Sequence, residues 1–188
     1  MTARRDFQGQ REVLKSVATT LKQAAIPFAL AGGYAVWARG GPESTHDVDF
    51  VIPPDAAASA RAALIGTGHQ AWASTEDWLD KVMLDGVVVD LIHRLPFGDV
   101  DDDLLRRCDE LSVDSVRMPV MSATDVVLSR LLAFSAHACD FGPPLAFARS
   151  LREQVDWDLV RKEASASPFA RAFLGLLVSL EVIEEEHA

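Results

Sequence analysis

At 188 residues and 49% hydrophobic content, the chain carries enough apolar material for one compact core with room for a small helical appendage. Its formal net charge of −10 argues against broad, charge-driven association with duplex nucleic acid, which depends on neutralising several phosphates, although it leaves a local basic groove open. No stretch reaches the ~20 consecutive apolar residues of a membrane span, and the N-terminus leads into a polar, helix-like pattern rather than an apolar signal core, so a cytoplasmic location is expected. Cys108 and Cys139 are far apart and lie in no CxxC or Cys/His ligand pattern, which suggests neither a disulfide framework nor a zinc site.

In chain order, Val13, Leu14, Val17, Leu21 and Ala25 recur at intervals of three and four, predicting an amphipathic helix over 8–25 that Pro27 ends. A short apolar strand, Phe28 to Ala31, runs into Gly32-Gly33, and a second helix follows from Tyr34 to Arg39 until Gly40-Gly41-Pro42 stops it. Asp47 to Ile52 reads as a strand closed by Pro53-Pro54. The alanine-rich stretch Ala56 to Leu64 reads as a helix, and His69 to Ser74 and Trp78 to Leu84 as strands. Asp85-Gly86 between Leu84 and the β-branched run Val87-Val88-Val89 is a hairpin signal. After Pro96-Phe97-Gly98 the character changes: a short helix around 101–108, a strand from Leu111 to Val120, then helices. Ser122 caps the first of these, Gly142-Pro143-Pro144 breaks it, a helix covers 145–154, Asp156 caps another through Lys162, and Pro168 opens the last over 168–183. A boundary near residue 121 therefore divides an α/β part, 1–121, from a helical part, 122–188.

The chemistry concentrates in Gly32-Gly33, Asp47-Val48-Asp49 and Asp90. Alternate side chains of a strand share a face, so Asp47 and Asp49 point together, roughly 6.6 Å apart at ~3.3 Å per residue. Such a pair repels unless protonated or bridged by cations, and hard divalent ions such as magnesium meet that need with oxygen ligands and substrate phosphates. Asp90 interrupts an apolar strand, a costly position unless it is paired, hydrogen-bonded or metal-bound. Strands lie ~4.8 Å apart, so Asp90 joins the cluster if its strand neighbours that of Asp47 and Asp49. The glycines let backbone N–H groups approach an anion at a helix start, and Ser44 and Thr45 add hydroxyl donors. Together these features suggest two-metal phosphoryl-type transfer, with Asp90 as general base.

Gly32-Gly33, a spacer ending in Thr45-x-Asp47-x-Asp49, and a later strand aspartate, Asp90, resemble the signature of the nucleotidyltransferase fold of the DNA polymerase β superfamily. Among its members the chain is most similar to small bacterial abortive-infection and tRNA-modifying toxins and to aminoglycoside and lincosamide nucleotidyltransferases, over about residues 10–120. The resemblance implies an α/β (α+β) fold, a mixed sheet flanked by helices with a C-terminal helical part. It also implies Asp47, Asp49 and Asp90 as ligands of Mg2+ (or Mn2+), and Gly32-Gly33 facing a nucleoside triphosphate. The sequence departs from the pattern at Gly33, where many members have serine, and at Glu43, where many carry arginine. Arg39, Lys81 and Arg130 are candidate replacements for that cation, and Arg130 is favoured because relatives often place a lysine there, facing the triphosphate.

Other residues have plainer explanations. Gly32-Gly33 lacks the Gly-Lys-Ser/Thr ending of a P-loop and the spacing of a dinucleotide fingerprint. His46 and His93 fall on the opposite strand face from the aspartates, Tyr34 is assigned to helix packing, and Trp37, Trp72, Trp78 and Trp157 are expected in the core. His137-Ala138-Cys139-Asp140 does not converge on one ion. The expected activity is transfer of a nucleoside monophosphate from a triphosphate to a hydroxyl, releasing pyrophosphate. The acceptor is RNA such as tRNA, a small molecule such as a cationic antibiotic, or a protein. The alternative is a nucleotidyltransferase-like module that binds a nucleotide or a partner such as an antitoxin, with little transfer; Glu43 favours it.

Overall fold

The computed structural model describes residues 2–44 and 47–185, and side chains from residue 8 onward. Helix α1 (Thr2–Gln23) buries Val13, Leu14, Val17 and Leu21 of the predicted stripe, with Ala18 beside them, but ends two residues before Ala25, which is exposed with a φ of 53°. Strand β1 (Ala29–Leu30) leads into α2 (Gly32–Ala38), which begins on the glycine pair itself, two residues earlier than the sequence pattern indicates. Then come β2 (Val48–Val51), a 3-10 turn (Pro54–Ala56), α3 (Ala57–Gly66), β3 (Gln70–Trp72), β4 (Leu79–Leu84) and β5 (Val87–Ile92).

The region after β5 differs from expectation in two places. A small hairpin, β6 (Arg94–Leu95) with β7 (Gly98–Asp99), turns on Pro96-Phe97. Beyond α4 (Asp102–Arg106), the strand predicted over Leu111 to Val120 is a hairpin, β8 (Asp109–Val113) with β9 (Val116–Val120). Asp114 and Ser115 turn it with φ of 45° and 71°. Paired positive φ values match the right-handed twist of the flanking strands, but Asp-Ser is not the Asn-Gly or Asp-Gly signal that announces such a turn. The helical end comprises α5 (Ala123–Leu132), α6 (Gly142–Leu151), α7 (Trp157–Glu163) and α8 (Pro168–Ser179). Helix α5 stops well before Gly142, and α8 stops short of residue 183.

Among the described residues, seven strands form one mixed sheet in the order β3-β4-β5-β2-β1-β9-β8. The pairs β2/β5 and β1/β9 are parallel and the others antiparallel. Val89 and Leu91 of β5, Val48 and Phe50 of β2, and Val82 of β4 face the core, where one contiguous apolar cluster runs from Val13 of α1 to Ile183 beyond α8. Among the described residues no helix is long and apolar enough to cross a membrane.

Candidate active site

The site lies where β2 and β5 run side by side. Their parallel register sets Asp49 opposite Asp90, so the condition placed on Asp90 by the sequence is met, and the two carboxylates share one face. Asp47 is exposed just ahead of β2, and Thr45 and His46 lie outside the described residues.

The glycine pair is fitted to this face from the other side. The Ala31 N–H donates to the Asp49 carbonyl at 2.9 Å, bringing the start of α2 over β2. Gly32 has a φ of +56°, and a Cβ there would lie 1.8 Å from Asp49 Oδ2; a Cβ on Gly33 would lie 2.6 Å from Oγ of the buried Ser44. Both glycines thus make room for side chains of the site itself.

Burial, and then the Asp90 and Asp47 carboxylates, push Asp49 up to about 7, against a smaller pull from Lys81 and Arg130. Burial likewise raises Asp90, opposed by Lys81, whose Nζ donates to both Asp90 oxygens at 2.8 and 3.0 Å. Burial disfavours the Lys81 ammonium, yet its bond to Asp90 and the surrounding carboxylates outweigh that and hold it above the ordinary lysine value. Among the described residues, no three acidic, histidine or cysteine side chains converge as they stand into a metal-holding group. The donor chemistry nevertheless suits a hard divalent cation: carboxylate oxygens crowded on one face, one of them in a cradle that a Cβ would fill, with more negative charge than their cations neutralise.

Above Asp49 opens a cleft of about 640 Å³ lined by Gly32, Gly33, Arg130 and Phe147, with Trp78 and Arg94 also on its wall. Arg130 comes from α5, whose start is fixed by a small network. Ser122 caps the helix by accepting from the Asp125 N–H, and its hydroxyl donates to Asp125 Oδ2 at 2.7 Å. Arg107 donates to both oxygens of the buried Asp125 at 3.1 and 3.0 Å, joining the end of α4 to the start of α5.

Arg39, the other candidate cation, is committed elsewhere. Its guanidinium donates to the Met121 and Val120 carbonyls and to Asp109, tying α2 to β8 and β9. Tyr34 is buried as expected, its hydroxyl donating to Gln10 Oε1 at 2.8 Å. The tryptophans divide. Trp37 and Trp157 pack on the core, whereas Trp72 and Trp78, expected there, are exposed because β3 and the start of β4 lie at the sheet margin. Sequence reasoning missed Trp78 and Arg94 at the cleft; Arg94 is paired with Asp77 at 2.6 Å. Arg94 belongs to the unanticipated β6, which carries no pattern of its own, and its N–H donates to the carbonyl of Trp78, just before β4, at 3.2 Å.

A mixed sheet with its acidic pair on two central parallel strands, entered by a glycine-led helix and flanked by helices, is a nucleotidyltransferase-like fold. Residues 1–182 match the model of a family described as uncharacterised nucleotidyltransferase, and the chain belongs to that family. No curated protein sequence matches it. Among solved structures it is similar to ANT(2")-Ia in complex with adenylyl-2"-tobramycin, with a TM-score of 0.55 and 13% identity, covering 89% of this chain and 98% of that one. It is also similar to the lincomycin-bound lincosamide antibiotic adenylyltransferase LnuA, with a TM-score of 0.51 and 12% identity over 72% and 91% of the two chains. An antigenic nucleotidyltransferase-like protein from Paracoccidioides brasiliensis gives a TM-score of 0.51 and 18% identity over 91% and 88%. At such identities the likeness is one of fold. Membership of that family makes the chain an enzyme of the nucleotidyl-transfer class.

Proposed function

We propose that the protein transfers a nucleoside monophosphate from a nucleoside triphosphate to a hydroxyl, with Mg2+ or Mn2+ held by Asp47, Asp49 and Asp90. The observation that carries this reading is the Asp49–Asp90 pair in register on adjacent strands, with the Asp49 carboxylate over Gly32 at the floor of the cleft. Gly32 and Gly33, on the cleft wall with Arg130, receive the phosphate chain together with the hydroxyls of Ser44 and Thr45 expected from the sequence, and Arg130 meets it from α5, taking the place of the cation that Glu43 does not supply. A bound divalent ion supplies charge neutralisation for the phosphates and for the crowded carboxylates.

Asp90 accepts the acceptor's proton as the hydroxyl oxygen bonds to the α-phosphorus; the bond to the bridging oxygen breaks, and pyrophosphate leaves with its electron pair. Lys81, bonded to both Asp90 oxygens at rest, gives up one of them as the proton arrives and stays paired with the other. The acceptor is a small molecule, RNA or protein. The solved structures similar in fold include proteins bound to adenylyl-2"-tobramycin and to lincomycin, which supports a small molecule.

The test is release of pyrophosphate with each nucleoside triphosphate and magnesium, for wild type, Asp49→Ala and Asp90→Asn. Asp49→Ala should lose release by at least about a hundredfold. Asp90→Asn should keep its fold and nucleotide binding and lose transfer. Release that survives the Asp49 change would refute the site.

A second reading, a nucleotide- or partner-binding module of a toxin–antitoxin or regulatory system, is favoured by the Lys81 ammonium lying across both Asp90 oxygens. Tight nucleotide binding without turnover in the same assay supports it.

A further inference from the structure

Four residues lie on one rung of the sheet. Trp72 of β3 opposes Lys81 of β4, Lys81 opposes Asp90 of β5, and Asp90 opposes Asp49 of β2. Directly opposed residues direct their side chains to the same face, and the Lys81–Asp90 ion pair shows this sense within the rung. Trp72 is therefore on the face of the acidic pair, at the end of the rung away from Gly32 and Arg130. At ~4.8 Å per strand its backbone is roughly 10 Å from that of Asp90, with the Lys81 side chain between them on the same face, so a ring stacked on the indole would reach Asp90 over the Lys81 stem. Trp72 is 47% exposed, and among the described residues its indole takes no hydrogen-bond or ring partner.

A hydroxyl that gives its proton to Asp90 has two directions of approach along the rung. On the β2 side lie Asp49 and, above it, the cleft assigned to the triphosphate. The β4–β3 side, across Lys81, leads to Trp72. The charge there is one-sided. Asp47 and Glu76 both act on Lys81 and Asp90, and Lys81 is spent on Asp90. A polyanion approaching by this route meets repulsion, whereas a ring that is neutral or positively charged meets an aromatic face suited to stacking and cation–π contact.

We propose that Trp72 is the acceptor platform, stacking on the ring of a small neutral or cationic hydroxyl compound and setting its hydroxyl toward Asp90. This assignment rests on the nucleotidyl-transfer reading, and its test keeps the two apart. The indole N–H resonance of Trp72, assigned by its loss in Trp72→Phe, is followed while glucosamine, glucose and adenosine 5′-monophosphate are added to the full chain. Pyrophosphate release with magnesium and a triphosphate is measured in parallel, with the two sugars as acceptors, for wild type, Trp72→Ala and Trp72→Phe.

The expected result is a saturable shift of the Trp72 resonance with glucosamine, a smaller one with glucose and little with the nucleotide. Trp72→Ala should raise the sugar KM by about tenfold, leave the triphosphate KM unchanged and be largely rescued by Trp72→Phe. A Trp72 resonance indifferent to both sugars overturns the platform, even if the enzyme releases pyrophosphate. A shift with the nucleotide alone overturns the ligand class and points to an RNA end. Dissociation of a dimer by Trp72→Ala, read by sedimentation, overturns the platform in favour of contact between copies. A sugar-dependent shift with no pyrophosphate release from any triphosphate refutes the transfer reading, not the subsite.

Discussion

Gly32 shows how one missing side chain serves the site. Its φ of +56° already favours glycine, and a Cβ would lie 1.8 Å from Asp49 Oδ2. Gly32→Ala should therefore displace the Asp49 carboxylate by about an ångström or more and lower pyrophosphate release by roughly a hundredfold. The stability cost should be only about 1–2 kcal/mol, measured by denaturant titration. Near-wild-type release from a folded Gly32→Ala protein would show that Asp49 need not sit over the turn. Lys81 was within reach of sequence reasoning. A two-residue turn at Asp85-Gly86 pairs Leu84 with Val87, and counting three residues away from the turn on each strand sets Lys81 opposite Asp90, as observed. The signal was the turn length, and using it needed only the register.

At the scale of elements, the β8/β9 hairpin and α5 each set the position of a group in or near the site. The hairpin turn holds two non-glycine residues at positive φ, a conformation that L side chains adopt at a cost of about 1 kcal/mol. Ser115→Gly should relieve that strain and stabilise the fold by about 0.5–1 kcal/mol with activity unchanged, seen as a higher denaturant midpoint at constant m-value. Destabilisation would mean the serine side chain contributes more than the turn costs. The single strand expected over Leu111 to Val120 failed because Asp-Ser is a weak turn signal and the apolar residues continue on both sides of it. The start of α5 was legible from Ser122 alone. The Arg107–Asp125 pair that anchors it was not, since the residues are 18 apart in sequence and nothing local relates them.

Over the whole molecule, the site stores repulsion that the rest of the fold holds in place. A carboxylate raised to about 7 binds its proton more tightly in the folded than in the unfolded chain. Its contribution is then complete below its ordinary value near 4 and is lost as pH rises toward 7. Asp49→Asn should accordingly melt several degrees above wild type at pH 8 in chelator, on the order of a few kcal/mol, and the difference should vanish near pH 4. Magnesium should raise the wild-type melting temperature at pH 8 and leave that of Asp49→Asn unchanged. An Asp49→Asn protein less stable than wild type at pH 8 would show that the carboxylate is satisfied by partners rather than strained.

The sequence by itself determined the order of most elements, the amphipathic stripe of α1, the caps at Ser122 and Asp156, the mixed α/β character, and the three aspartates and two glycines from which a reaction class can be argued. These rest on periodicity, turn chemistry and the cost of a buried charge, all of which are local. Only the tertiary structure decided that β5 lies parallel to β2 with Asp90 beside Asp49, that Lys81 covers both Asp90 oxygens, that Arg39 is committed to β8 and β9 while Arg130 reaches the cleft, and that Trp72 stands exposed at the end of the same rung. Parallel register, unlike a hairpin's, is not fixed by any turn between the strands; it is set by packing of the whole sheet against its helices.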